Sequence, residues 1–306
     1  MAILKKGGHL WIGLISLLFF QTALFLQIEP IVTYFYSFIW WAYIVTVDGL
    51  IYRIQGHSLI INRTRQFFQL LPWSVCIWLI FEGFNLILKN WYYIGVPKSI
   101  FLRWPGYFVA YGTVLPALFE TKELLAALGL FKKDRLRPVQ IRPGWFRPLI
   151  VIGSLCLILP LMAPPFFFPL VWLGFIFLLE PFNYQTHRPS LLKDLEQGKL
   201  ENLLQLPLAG MICGLLWEFW NYWATAKWVY TVPWVGELKL FEMPILGFFG
   251  FPPFAVECFV IVAFLGFFEG RTEKQRRSPW GFWPVWLFFY LVMFSAIDIY
   301  TVRSFG

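Results

Sequence analysis

The stretch Leu215–Tyr230, LLWEFWNYWATAKWVY, places Glu218 and Asn221 inside an apolar run that otherwise reads as a bilayer-crossing helix. An earlier stretch, Leu79–Tyr93, LIFEGFNLILKNWYY, repeats the arrangement: Glu82 and Asn85 keep the E-x-x-N spacing, and Trp91 and Tyr93 follow as Trp228 and Tyr230 do later. An ionisable side chain at the centre of a spanning helix costs about 2.5–3.5 kcal/mol on insertion scales, so such residues mark partners or sites. Here the same costly pair occurs twice.

Composition supports the membrane reading. Hydrophobic residues make up 59% of the 306 residues and charged residues 14%. With a mean hydropathy of +0.64, this excludes an ordinary soluble domain. Runs long enough to cross ~30 Å of hydrocarbon fall near residues 10–27, 31–51, 70–88, 106–130, 148–162, 165–181, 207–226, 244–268 and 284–302. They are continuously apolar, without the period-two alternation of outer-membrane strands. The expected fold is therefore all-α, a polytopic membrane bundle of about nine transmembrane helices. The first run follows Lys5 and Lys6 as a signal peptide would, but no small-x-small cleavage site follows and a second run begins at once, so it is kept as a span.

Outward from the two quoted stretches, the repeat continues. Trp40 and Trp172, Asp48 and Glu180, Tyr52 and Tyr184, and Ser58 and Ser190 are each 132 apart. Glu82 and Glu218, with Asn85 and Asn221, are 136 apart, and Trp91/Trp228, Tyr93/Tyr230, Pro116/Pro253 and Glu120/Glu257 are 137 apart. So regular a register indicates duplication. The expected organisation is a four-span repeat over 1–130, a basic linker over 131–147, a second four-span repeat over 148–268, and a basic loop with a ninth span over 269–306. An even number of spans per unit makes the repeats parallel. The symmetry would bring Glu82, Glu120, Glu218 and Glu257 toward one interior.

Of the 25 Lys and Arg residues, 19 fall at the N-terminus, near Lys122, and in the loops 53–69, 131–147, 185–205 and 269–282, against 6 on the other side. By the positive-inside rule the N-terminus is cytoplasmic and the C-terminus outside, and the plasma (inner) membrane is the expected location. The net charge of +8 is then a topology signal and an attraction to anionic headgroups, with no nucleic-acid partner. The segment FKKDRLRP, Phe131–Pro138, is a candidate for holding a lipid phosphate. None of the four cysteines belongs to a C-x-x-C pair, and the three histidines stand away from the buried carboxylates. Disulfides, zinc, haem and His-rich iron sites lack their ligands. P-loop, dinucleotide-binding, H-E-x-x-H and G-x-S-x-G patterns are missing. No cofactor is implied, and a homo-oligomer is compatible with the sequence.

Two roles fit the four glutamates. They can glue helices together, bonded to the asparagine one turn on. Alternatively, acids in a dry cavity can protonate an apolar substrate. Aromatics supply 21% of the chain. Many would form the interfacial belt, but Trp217, Phe219, Trp220 and Trp223 crowd Glu218, and Phe81 and Phe84 flank Glu82. Aromatic faces stabilise a cation by ~2 kcal/mol or more when it is desolvated. Acid plus aromatic wall is what isoprenoid cyclisation needs. The candidate catalytic residues are Glu218, Glu257, Glu82 and Glu120. The candidate contacts to an apolar polyprenoid or lipid substrate are Asn85, Asn221, Trp217, Trp220, Trp228, Tyr230, Trp91 and Tyr93. Asp48 and Glu180 are expected at water-accessible span ends, and Asp298 at an outer helix end.

The run Trp228–Pro233, WVYTVP, followed by Glu242–Phe259, EMPILGFFGFPPFAVECF, resembles the integral-membrane lycopene cyclase domain, with its W-x-Y-x-P stretch, proline-containing helix start, adjacent glutamates and phenylalanine. The WEF of Trp217–Phe219 resembles the glutamate-bearing segment of fungal integral-membrane terpene cyclases. The resemblance implies metal-independent, acid-catalysed cyclisation with Glu218 as proton donor and Glu257 as acid or base, and extends to Glu82 and Glu120 only through the repeat. The chain departs from that pattern in having a single glutamate at 257, between Val256 and Cys258, and a longer proline spacing. A proton- or cation-coupled transporter with midplane carboxylates, an oxygen-ligated Mg²⁺, Mn²⁺ or Ca²⁺ site, and purely structural carboxylates are the competing readings.

Overall fold

A computed structural model describes residues 7–234, 238–267 and 283–306; Lys5, Lys6 and the basic loop 269–282 lie outside the described residues. In chain order the elements are α1 (His9–Phe25), α2 (Phe35–Gln55), α3 (Leu59–Asn62), α4 (Thr64–Leu88), β1 (Trp91–Ile94), α5 (Ile100–Tyr111) and α6 (Val114–Ala127). There follow α7 (Phe146–Met162), α8 (Pro164–Phe167), α9 (Val171–Gln185), α10 (Leu191–Glu196), α11 (Glu201–Trp223), β2 (Lys227–Tyr230), β3 (Lys239–Leu240), β4 (Met243–Pro244), α12 (Phe251–Phe264) and α13 (Trp283–Tyr300). The protein is mostly helical.

Among the described residues, six helical segments are long and apolar enough to cross a membrane: Phe35–Gln55, Thr64–Leu88, Pro143–Met162, Pro164–Gln185, Glu201–Trp223 and Ile245–Phe264. The apolar helices His9–Phe25 and Pro284–Tyr300 are shorter. The expected continuous span at 106–130 is instead two helices, α5 and α6. Pro116 has no N–H to return to the carbonyl of Gly112, and the chain tightens there, with Thr113 donating through both its N–H and its hydroxyl to the Ala110 carbonyl.

Close helix contacts use small residues, since apolar burial drives little association within lipid. A Cβ on Gly13 would lie 2.4 Å from Thr46 Oγ1, and one on Gly49 would lie 2.6 Å from Leu10 Cα, so only glycine lets α1 lie this close to α2. Two sets of packing recur: α2 and α4 pack on α6, and α9 and α11 pack on α12, while α11 also packs on α6 and joins the two sets. The shared core is aromatic. Trp40, fully buried, meets Trp217 and Trp220 at centroid separations of 5.6 and 4.8 Å, and Phe81 stacks on Trp172 at 5.3 Å.

An all-α reading misses the ladders. β1 and β2 pair antiparallel, Trp91 with Tyr230, Tyr92 with Val229 and Tyr93 with Trp228, and Thr231 N–H extends the pairing by donating to Asn90 O at 2.8 Å. Exchanging residues 137 apart maps this register onto itself, so the ladder has a local two-fold axis through Tyr92 and Val229. At the opposite, basic end, Leu136 N–H donates to Gly198 O at 3.1 Å and Gln205 Nε2 to Leu130 O at 2.8 Å, tying the linker under the second set of helices.

Asp48 and Glu180 differ from expectation: both are buried. Asp48 accepts from His9 Nε2, Ser58 Oγ and Ile60 N–H at 2.9, 2.8 and 2.7 Å. Glu180 accepts from Ser190 Oγ and Leu192 N–H at 2.7 and 3.1 Å. Each acid captures backbone donors at the first turn of the short helix that follows its span, which satisfies otherwise orphan N–H groups. Their place is explained by capping.

Candidate functional site

Beneath the β1–β2 ladder lies a cavity of about 180 Å³. Its wall contains residues in matching places on the two sides of the axis: Trp91 and Trp228, Tyr93 and Tyr230, Val114 and Phe251, Tyr36 and Phe168. Trp78, Trp172, Trp217, Tyr107, Tyr111 and Phe254 complete an aromatic enclosure, with Arg103 and Lys227 at the ladder side. An apolar cavity of ~150 Å³ admits benzene. This one has room for one ring-sized group.

The ladder carries the wall because two asparagines hold it. Asn85 donates from Nδ2 to Trp91 O at 2.9 Å and accepts from Asn90 and Trp91 N–H at 2.9 and 3.2 Å. Asn221 donates to Trp228 O at 2.9 Å and accepts Trp228 N–H at 3.0 Å. The E-x-x-N spacing therefore has a local meaning. The asparagine turns the chain from helix end to strand, and the strand returns its Trp and Tyr over the glutamate three positions earlier.

None of the four glutamates lines the cavity. Glu82, fully buried, accepts at Oε1 from Trp78 Nε1 at 3.0 Å, Trp91 Nε1 at 3.1 Å and Tyr93 Oη at 2.5 Å, and Tyr111 Oη donates to Tyr93 Oη at 3.2 Å. Glu218 accepts Tyr230 Oη at 2.9 Å. Each acid is thus hydrogen-bonded to a tyrosine of the cavity wall, Glu82 to Tyr93 and Glu218 to Tyr230. The second oxygens of Glu82 and Glu218 have no partner, although an unsatisfied buried polar atom costs about 1–3 kcal/mol.

Glu120 and Glu257 are placed differently. Glu120 is fully buried beside Asp48, with no N–H or O–H donor on either oxygen. Glu257 accepts the backbone N–H of Phe175 at 2.9 Å. The four acids thus have separate surroundings among the described residues, and none of them reaches this cavity wall. Among the described residues, no group of three or more His, Cys, Asp or Glu side chains is placed to hold a metal.

Of the expected substrate contacts, Trp91, Tyr93, Trp217, Trp228 and Tyr230 line the cavity, while Asn85, Asn221 and Trp220 do not. Trp220 packs instead on Trp40 and Tyr43. Trp78, Tyr107, Tyr111, Trp172 and Arg103 were not anticipated as wall residues. Trp78 stands one turn before Glu82 and could have been read from that spacing. Arg103 depends on a residue 195 positions away, since its Nε and Nη2 grip both oxygens of Asp298 at 2.8 and 2.6 Å, joined there by Trp104 Nε1 and Tyr107 Oη. Asp298, expected at a helix end, thus supports the cavity wall. No protein-family model, no curated protein and no solved structure matches the chain.

Proposed function

We propose that the protein is a membrane-embedded, metal-independent cyclase or isomerase acting on a carotenoid or other polyprenoid. In this reading nine spans form two parallel four-span repeats with a C-terminal helix, the basic end and N-terminus are cytoplasmic, and the C-terminus lies outside the plasma membrane. The observation that carries the reading is the aromatic cavity between the two sets of helices, backed by two tyrosine–glutamate pairs. A polyprenoid end group is apolar, ring-sized once folded, and joined to a chain that can trail from the cavity mouth. Protonating its alkene creates a carbocation that can form no hydrogen bonds, and π faces stabilise such a charge. The glutamates act through the tyrosine hydroxyls that separate them from the cavity.

Chromatography with mass spectrometry on apolar extracts from a polyprenoid-producing host tests this. Expression of the wild type gives a product of unchanged mass and altered retention, and Glu218→Gln removes it while the protein remains membrane-inserted. Identical extracts from the two would reject the reading. A second reading, proton- or cation-coupled transport, is favoured by Glu120, a fully buried acid whose two oxygens have no hydrogen-bond partner. Gradient-driven uptake into proteoliposomes, lost in Glu120→Gln, would select it.

A further inference from the structure

The two tyrosine–glutamate pairs occupy matching positions but do not have matching surroundings. On the first side, Glu82 Oε1 is the acceptor for three donors, two of them indole N–H groups, which can only donate. On the second side, Tyr230 is the hydroxyl that reaches Glu218, and the indole N–H of Trp228 approaches without closing a hydrogen bond. The difference is written in the chain. The position matching Trp78 is Gly214, 136 residues on, where even a Cβ would lie 2.2 Å from the Phe251 ring. No third donor can stand there.

The first pair is also held from outside. Tyr93 N–H donates to Thr301 O at 2.9 Å, and Arg303 N–H donates to Tyr93 O at 2.8 Å, so the C-terminal segment closes over β1. Tyr93 and Trp91 are buried, whereas Tyr230 and Trp228 are partly exposed. One pair is therefore clamped, and the other is joined by a single hydrogen bond and is less enclosed.

Building on the cyclase or isomerase reading, we propose a division of labour in which Tyr230 and Glu218 transfer the proton and Glu82, held by Trp78, Trp91 and Tyr93, is a fixed positioning acceptor that keeps negative charge behind the wall. In the forward step the Tyr230 hydroxyl proton forms a C–H bond with the terminal alkene, using its π electron pair. The Glu218 carboxyl proton moves to the Tyr230 oxygen, leaving a Glu218 carboxylate and a substrate carbocation. A neighbouring double bond closes the ring, or the cation rearranges. A proton then leaves an adjacent carbon for Tyr230 as the tyrosine proton returns to Glu218. Acid and base are restored, and the substrate keeps its mass.

The test uses membranes containing the full chain and an acyclic carotenoid as probe, in D₂O. Wild type yields a product heavier by one mass unit for each end group converted, because the added proton comes from exchanged Tyr230 and Glu218. Tyr230→Phe and Glu218→Gln lose product by more than about a hundredfold, while Tyr93→Phe, Glu82→Gln and Trp78→Phe lower the rate by about tenfold and still give a fully labelled product. Size-exclusion profiles in detergent and the conservative Glu218→Asp, which recovers labelled product, separate chemistry from misfolding. Equal loss in Tyr93→Phe and Tyr230→Phe, or loss in Tyr93→Phe alone, would overturn the division while leaving the cyclase reading intact. Absence of product and label with wild type would overturn the cyclase reading itself, and the division with it.

Discussion

Asn221 illustrates how one side chain sets the chemistry around it. Its amide exchanges two hydrogen bonds with the backbone of Trp228, and that strand carries Tyr230 back to Glu218. Removing one partner of a buried hydrogen bond leaves the other unsatisfied, at about 1–3 kcal/mol. Asn221→Ala is expected to lower thermal stability in detergent and to reduce product formation together, whereas Tyr230→Phe lowers product formation with little change in melting temperature. Matching behaviour of the two variants would show that Tyr230 serves the ladder rather than the cavity.

Among elements, α13 packs on α4 and reaches α5 through one ion pair. Its Asp298 holds Arg103 through a bidentate pair at 2.6–2.8 Å, with both side chains largely buried. Breaking a buried pair by removing one partner costs about 3–5 kcal/mol, because the other charge is left uncompensated. Asp298→Ala is therefore expected to destabilise by roughly 3 kcal/mol, and Arg103→Met with Asp298→Leu to recover part of it, measured as a double-mutant cycle of denaturation free energies. At the α1–α2 contact, Gly13→Leu would drive a side chain into Thr46. Overpacking of this kind costs about 1–3 kcal/mol, and a lower melting temperature is the expected result.

At the scale of the whole molecule, the charge distribution predicts an orientation. Lys133 lies at the basic end, and Lys239 lies in the β3–β4 ladder beyond β2, donating to Tyr230 O. In intact cells, a membrane-impermeant maleimide should label Lys239→Cys and leave Lys133→Cys unlabelled until the membrane is opened. Native background is low because Cys156, Cys213 and Cys258 are buried and Cys76 is half-buried. The reverse pattern would invert the orientation and place the cavity on the cytoplasmic side.

Hydropathy and spacing alone were enough to reveal a helical chain with bilayer-length apolar segments and the residues Glu82, Asn85, Glu218 and Asn221 that shape its centre, because both depend on local order along the chain. The short strands and the break at Gly112–Thr113 were hidden, since a strand of four residues is stabilised by a partner more than a hundred positions away. Whether a buried glutamate faces a cavity or stands behind a tyrosine depends on which side chains the packing puts between them, and no spacing rule reports that. The inequality of the two pairs was half legible: Gly214 opposite Trp78 is a sequence fact, but its consequence needed Phe251 in place against it. Local periodicity marks where polar groups sit along a helix, and only tertiary packing decides what each one meets.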